Sequence, residues 1–189
     1  MKDYYQILKK RLSPKRYNHC LGVADTAAKL ALKYGVNSEQ ARMAGLLHDI
    51  ARELPSEELL DIASKADLIK FEIEKEVPVL LHGPVGALIL KQEIGIKDSY
   101  IIQAIARHTV GAKEMTQLDK IIYLSDIIEP SRNFEGVETL RQQAESNLEI
   151  ALLKALEFSI MYVIKKGQPL HPETVAARNH ILLSREGID

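Results

Sequence analysis

Residues 44–52 read Ala-Gly-Leu-Leu-His-Asp-Ile-Ala-Arg, a histidine and an aspartate side by side with Leu46 and Leu47 before them and Ile50 after. The setting is that of a buried helix. Neither His48 nor Asp49 belongs in a core without a partner, because a buried polar or charged group left unpaired is costly. Any fold this chain adopts must supply that partner. A metal ion would satisfy both side chains at once, and a structural hydrogen-bond network is the other solution. Consecutive helical positions differ by about 100°, so the two can converge on one ion only if it sits between their directions, against a crossing helix. Gly45, three residues before His48, permits such an approach.

The chain around this stretch is punctuated for helices. Asp3 to Arg11 predicts a short helix with Tyr4, Ile7, Leu8 and Leu12 near one face. Ser13-Pro14 is a strong helix start, serine as N-cap and proline at the first helical position. That helix carries His19 and stops at Gly35. Asn37 with Gln40 forms a capping-box pattern for the helix bearing His48-Asp49 near its C-terminal end. Further helices are expected from Pro55-Ser56, over Val85 to Glu93, from Asp98 or Ser99 to about Arg107-His108, over Gln117 to Ile128, over Glu138 to Glu145, from Asn147 to Lys166, and from Val175 to about Ser184. Asp67 to Val77 mixes charge with Phe71 and Ile73 and reads as an exposed segment. No hairpin signal, repeat or low-complexity tract interrupts the pattern. The fold class is all-α, a single compact helical bundle of nine or ten helices over residues 1–189, with a core of roughly 14–132 and C-terminal helices of 136–185 packing on it.

Composition narrows the function classes. With 189 residues, one domain has ample material for a core. The net charge of -1 supplies no broad basic field, so neither nucleic acid nor an anionic membrane is an expected partner. Cys20 is the single cysteine, which excludes an intrachain disulfide and a thiolate cluster for zinc. Met1 to Lys10 is charged throughout and lacks the apolar core of a signal peptide, and Phe158 to Ile164 is too short to span a bilayer. A cytoplasmic protein is the expectation.

Other polar residues share the setting of His48-Asp49. His19, His82 and His108 sit in or beside apolar helices, and Asp126 interrupts Ile121-Ile122-Tyr123-Leu124-Ser125 and Ile127-Ile128, where its carboxylate would be desolvated. A lone buried histidine is more readily a hydrogen-bonded core residue. A His-Asp dipeptide alone is equally weak, and Cys20 beside His19 reads as a small buried hydrophobe. The joint pattern carries the argument.

The order His19, then His48-Asp49, then Asp126 resembles the HD-domain superfamily of metal-dependent phosphohydrolases. Arg16-Tyr17-Asn18-His19, His82-Gly83-Pro84-Val85-Gly86-Ala87, His108-Thr109-Val110-Gly111 and Asp126-Ile127-Ile128-Glu129-Pro130-Ser131-Arg132 extend the likeness. They are similar to one branch, the bacterial YqeK-type symmetrical diadenosine tetraphosphate hydrolases. The likeness covers nearly the whole chain, including His171-Pro172-Glu173-Thr174.

The resemblance implies His19, His48, Asp49 and Asp126 as ligands of a divalent metal, iron being favoured by the family. A site of two imidazoles and two carboxylates also suits Mn, Co or Zn. Such an ion lowers the pKa of a water and polarises a phosphoryl group. His82 and His108 have two readings: a second metal with Asp49 bridging, or direct contact with phosphate. The second is favoured, with a mononuclear or variably occupied site. Asp49, His82 and His108 are the catalytic candidates. Arg16 and Arg132, with His171 and Thr174, are the substrate-binding ones, arginine being suited to bidentate phosphate recognition. Lys120 could also face the site. The implied reaction is cleavage of diadenosine tetraphosphate to two ADP, with a dinucleoside polyphosphate or nucleoside diphosphate as ligand. The alternatives are hydrolysis of another nucleotide by the same type of site and a non-catalytic nucleotide-binding module. The Asn147 to Lys166 helix and the Asp67 to Val77 segment could serve a homodimer interface, and core packing would explain the helix equally well.

Overall fold

The computed structural model describes residues 3–184. The expected 1–189 span and residue 185 of the C-terminal helices therefore reach beyond the described residues. Within them the fold is all-α with no strand, and the helices number eleven rather than nine or ten. They are α1 (Tyr4–Arg11), α2 (Pro14–Lys33), α3 (Ser38–Leu47), α4 (Ser56–Lys65), α5 (Ile73–Glu76), α6 (His82–Ile89), α7 (Ser99–Arg107), α8 (Gln117–Ile128), α9 (Val137–Ser146), α10 (Leu148–Lys165) and α11 (Pro172–Leu183). A 3-10 turn, Pro78–Leu81, leads into α6, and a π turn, Leu90–Ile94, follows it.

Local chemistry sets most of the boundaries. Ser13 accepts the Arg16 N–H at the start of α2, with Pro14 at the first position. Asn37 accepts the N–H groups of Glu39 and Gln40. The expected capping box is only half formed there, because the Gln40 side chain instead donates to Asp98 at 2.7 Å. A complete box stands at Thr116–Asp119, opening α8. Gly35, Gly95 and Gly167 adopt positive φ just beyond helix ends, where an L side chain would be strained.

Two expectations change in detail. α3 ends at Leu47, so His48 and Asp49 follow the helix instead of riding on it. The backbone past this point runs in successive tight turns, with Ile50 N–H on Leu47 O, Arg52 N–H on Asp49 O and Leu54 N–H on Ala51 O. The segment 67–77 was expected to be exposed, yet Glu74 is buried. Its carboxylate accepts the backbone N–H groups of Lys70 and Phe71 at 2.6 and 2.9 Å, closing a loop that the charged sequence conceals.

The core is contiguous. α2 packs along α3 and α8, α7 packs on α6, α3 and α8, and α10 packs against α8, α9 and α11. The first half of α10 buries Leu148, Ala151, Leu152, Ala155 and Leu156. Its second half leaves Phe158, Met161, Tyr162 and Ile164 exposed. Core packing thus accounts for only the first half of this helix. No helix among the described residues is long and apolar enough to cross a membrane.

The α2–α3 contact places His19 against His48, and it depends on Gly45. A Cβ at Gly45 would lie 3.0 Å from both Ala24 Cα and Val23 O, backbone atoms that cannot swing aside. Gly45→Ala should lower the denaturant midpoint, a net loss of about 1–2 kcal/mol, because overpacking outweighs the helix-propensity gain of about 1 kcal/mol. An unchanged or raised midpoint would show that the two helices have slack.

Candidate metal centre

Four imidazoles and two carboxylates converge where α2, α3, α6, α7 and α8 meet. His48 stands at the end of α3, His82 at the junction of the 3-10 turn and α6, and His108 at the end of α7. Helix termini leave carbonyls without intrahelical partners; His48 and His108 each use one, while Val79 O, bonded by His82, also holds the His82 backbone N–H. His48 Nδ1 donates to Gly45 O at 2.7 Å, His82 Nδ1 to Val79 O at 2.5 Å, and His108 Nδ1 to Ile105 O at 2.7 Å. The spacing is the same in each case, three residues back. A carbonyl can only accept, so Nδ1 carries the proton and Nε2 of the neutral ring presents a lone pair.

His19 lies within α2 and is held differently. Its Nδ1 faces Glu129 Oε1 at 3.0 Å. Glu129 is itself fixed by the Ser131 N–H at 2.7 Å and by the Ser131 hydroxyl. Gly22 makes room for it, since a Cβ there would come within 2.6 Å of Glu129 Oε2.

The Nε2 atoms face the carboxylates. Asp49 Oδ2 lies 3.3 Å from His48 Nε2 and 3.7 Å from His19 Nε2. Asp49 Oδ1 lies 3.2 Å from His82 Nε2 and 3.7 Å from His108 Nε2. Asp126 Oδ1 lies 3.0 Å from His19 Nε2 and 3.9 Å from His48 Nε2. The residues thus divide into two clusters able to hold an ion, His19–His48–Asp126 and Asp49–His82–His108. Asp49 directs one oxygen to each.

This donor set fits a divalent metal on its own chemistry. His19 Nε2 and His48 Nε2 are buried with no hydrogen-bond partner among the described residues; the nearby carboxylate oxygens do not offer hydrogen-bond geometry. His82 Nε2 and His108 Nε2 face each other at 3.0 Å. With both Nδ1 atoms protonated, two lone pairs oppose, an arrangement that a cation relieves. Electrostatics point the same way. Burial alone would raise the Asp49 pKa, yet the surrounding imidazoles hold it well below the carboxylate range, and Asp126 is lowered likewise, first by His19. Burial lowers His48 and His19, but the carboxylates reverse that and raise both. His82 stays depressed by burial. Cys20 also approaches His48 and Asp49, and burial and the Asp49 charge push its thiol far up.

Two arginines complete the rim. Arg16 Nη1 donates to Asp49 Oδ2 at 2.8 Å. Arg132 folds back after Pro130, its Nη2 donating to Asp126 Oδ1 at 2.5 Å and its Nε to Asp126 O at 2.8 Å. Arg141 secures the turn by donating to the carbonyls of Ile128, Glu129 and Arg132. Thr109 Oγ1 approaches His82 Nε2 at 3.3 Å and His108 Nε2 at 3.4 Å.

Not every expected residue is gathered here. Lys120 does not face the site: it is ion-paired with Glu149. His171 and Thr174 lie at the start of α11, away from the carboxylates. His171 Nδ1 accepts the Glu173 N–H at 3.2 Å, which leaves its Nε2–H directed to Glu74 Oε1 at 3.4 Å. Thr174 donates to Val110 O at 2.9 Å. With Thr109, Tyr123 and Ser159, these two line a cavity of about 110 Å³ beside the cluster. Sequence reasoning missed Glu129 and Glu74 as structural partners. For Glu129 the signal was present, a carboxylate following the apolar end of α8.

Comparison with known proteins adds a second line. The HD domain family matches residues 16–131. The symmetrical bis(5'-nucleosyl)-tetraphosphatase of Halalkalibacterium halodurans is 38% identical, covering 96% of this chain and 96% of its own. That of Bacillus subtilis is 37% identical over 93% of this chain and 94% of its own. A crystal structure from Clostridium acetobutylicum, of a "predicted HD superfamily hydrolase involved in NAD metabolism", superposes with a TM-score of 0.93 at 41% identity, covering 96% of both chains.

The Glu74–His171 pair ties the 67–77 segment to α11. Glu74→Ala strands two backbone N–H groups and the imidazole, so it should lower unfolding stability by about 1–3 kcal/mol. Glu74→Gln keeps an acceptor oxygen and should lose less than half as much. Equal losses in urea unfolding would show that the carboxylate's hydrogen bonds are not what matters.

Proposed function

This chain belongs to the HD-domain family and, within it, to the symmetrical bis(5'-nucleosyl)-tetraphosphatases, and we propose that it hydrolyses diadenosine tetraphosphate to two molecules of ADP. The observation that carries this reading is the convergence of buried Nε2 lone pairs and carboxylates, which calls for a cation, on a rim supplied with arginine. In this reading His19, His48, Asp49 and Asp126 hold one divalent ion. Asp49, His82 and His108 hold a second, in preference to the direct phosphate contact expected from sequence. The opposed Nε2 atoms and the two-sided carboxylate of Asp49 support that preference. Iron is favoured by the family resemblance, and the nitrogen and oxygen donors suit manganese, cobalt or zinc as well. Metal bound there lowers the pKa of water and polarises the phosphoryl group.

The remaining chemistry belongs to the chain. Asp49, reaching both clusters, also orients the attacking water. Arg16 and Arg132, already aimed inward by Asp49 and Asp126, neutralise the polyphosphate, and Arg forks match phosphate oxygens. Thr109, His171 and Thr174 border the path of one nucleotide half. Water adds to one central phosphorus, and the bridging oxygen leaves with the other, taking a proton to give the second ADP. We place this activity in the cytoplasm, where such a dinucleotide would be met.

Incubation of the purified protein with diadenosine tetraphosphate and iron or manganese should give ADP as the sole nucleotide product. AMP with ATP would overturn symmetrical cleavage. A panel of mononucleotides and cyclic nucleotides tests the other hydrolase reading, since the dinucleotide should be turned over fastest by a wide margin.

The ligand assignment has its own test. His48→Ala and Asp49→Ala should each lose most bound metal, measured by elemental analysis, while far-ultraviolet circular dichroism retains the helical signal. Full metal content in both variants would refute the assignment.

A further inference from the structure

A substrate cleaved at its centre into equal halves needs room for a nucleoside diphosphate on each side of the metal centre. Toward His108, a cleft of about 510 Å³ lined by Val110, His171 and Phe71 lies on one side. On the other, a cleft of about 400 Å³ opens from His19, Arg16 and Arg132 and runs out to Lys15, Asn133 and Phe134. Resting on the tetraphosphatase reading, we infer that this second cleft binds the other nucleoside diphosphate half, with the ring of Phe134 as the platform for its base.

The inner part of the cleft is built for phosphate. Arg16 and Arg132 stand at its inner end, each bonded to a carboxylate of the centre. Lys15 lines the same wall and makes no ion pair with the described residues. The first turn of α2, a helix of 20 residues, lies in that wall and brings the positive end of its dipole. The acidic residues of the cleft are already engaged. Glu53 accepts the Ser13 N–H at 2.5 Å and the Ser13 hydroxyl at 2.7 Å. Glu129 is bound to His19 and Ser131. What remains for an anion is Lys15 and the arginine N–H groups not spent on Asp49 and Asp126.

The outer part changes character. Phe134 is half-buried and stacks on Phe158, with ring centroids 4.4 Å apart and planes at 27°. Phe158 is 36% exposed, so the pair sits at the surface rather than in the core. The stack buttresses the Phe134 ring, which borders the cleft beside the amide of Asn133, exposed at its mouth. A purine has a π face that stacks on such a ring, and an amide can meet its hydrogen-bonding edge. Arginines inside and an aromatic platform outside follow the order of a nucleoside diphosphate, phosphates inward and base outward.

The test compares diadenosine tetraphosphate with adenosine 5'-tetraphosphate, which has a single nucleoside and can place it in the opposite cavity. Phe134→Leu keeps an apolar side chain against Phe158 and removes the ring face. It should raise KM for the dinucleotide roughly ten-fold, within the range of one base–aromatic stack. KM for the mononucleoside compound should move much less, so the preference for two nucleosides falls. Phe134→Trp should restore the preference. If Phe134→Leu leaves the ratio of the two KM values as in the wild type, the second cleft does not hold the base. Should the wild-type protein fail to cleave the dinucleotide at all, the tetraphosphatase reading fails instead, so the two failures are distinguishable.

Discussion

The bond from an imidazole Nδ1 to the carbonyl three residues earlier holds the centre together. It occurs at His48, His82 and His108, each at the end of a helical segment. Helix ends leave their last carbonyls without a partner; His48 and His108 supply one while turning Nε2 inward, and His82 adds a second donor to Val79 O, which already holds its backbone N–H. Backbone termination and side-chain aim are thus one event. Ring orientation is set by the backbone before any ligand arrives, which is how outer hydrogen bonds tune a metal-binding imidazole. His19 lies mid-helix, where carbonyls are already used, and needs Glu129 for the same purpose.

The carboxylates then decide what the aimed nitrogens can hold. Asp49, 2% exposed, places one oxygen among His19 and His48 and the other between His82 and His108. A buried carboxylate surrounded by lone pairs is untenable without positive charge. Arg16 supplies part of it, protons on the imidazoles can supply more, and a divalent ion would supply most. The same field that raises the pKa of His19 and His48 therefore attracts a metal cation. Asp126 repeats the arrangement with Arg132 at the rim, where its side chain is 22% exposed and the centre opens to solvent.

Much of this was legible in the sequence, for identifiable reasons. Helix starts at Ser13-Pro14, Asn37 and Asp98 are local chemistry, and local chemistry is written in adjacent residues. His19, His48-Asp49 and Asp126 stood out because polar residues in apolar helices must be accounted for, and the structure brings these side chains together. What escaped was set by tertiary contact. The sequence pattern of α3 continues past Leu47, but the chain turns there so that two neighbouring side chains can reach one region. Glu74 looks like one charge among many and is buried because it closes a loop on Lys70 and Phe71. Lys120 has a spacing that would face Asp126, and Glu149 on α10 claims it.

The arginines show how one set of charges serves both states of the site. Arg132 holds Asp126 with Nη2 and its backbone carbonyl with Nε, and Arg141 fixes the turn beneath it. Its guanidinium is therefore positioned without a substrate, and little side-chain entropy remains to be lost when a phosphate arrives. Arg16 is placed in the same way through Asp49. With metal on the carboxylates, the pull of Asp49 and Asp126 on the arginines would weaken, and their N–H groups would be free to meet phosphate oxygens at little cost. Charge pairs that stabilise the carboxylates within the chain would thus serve, under the proposed function, as the grip on a polyanion.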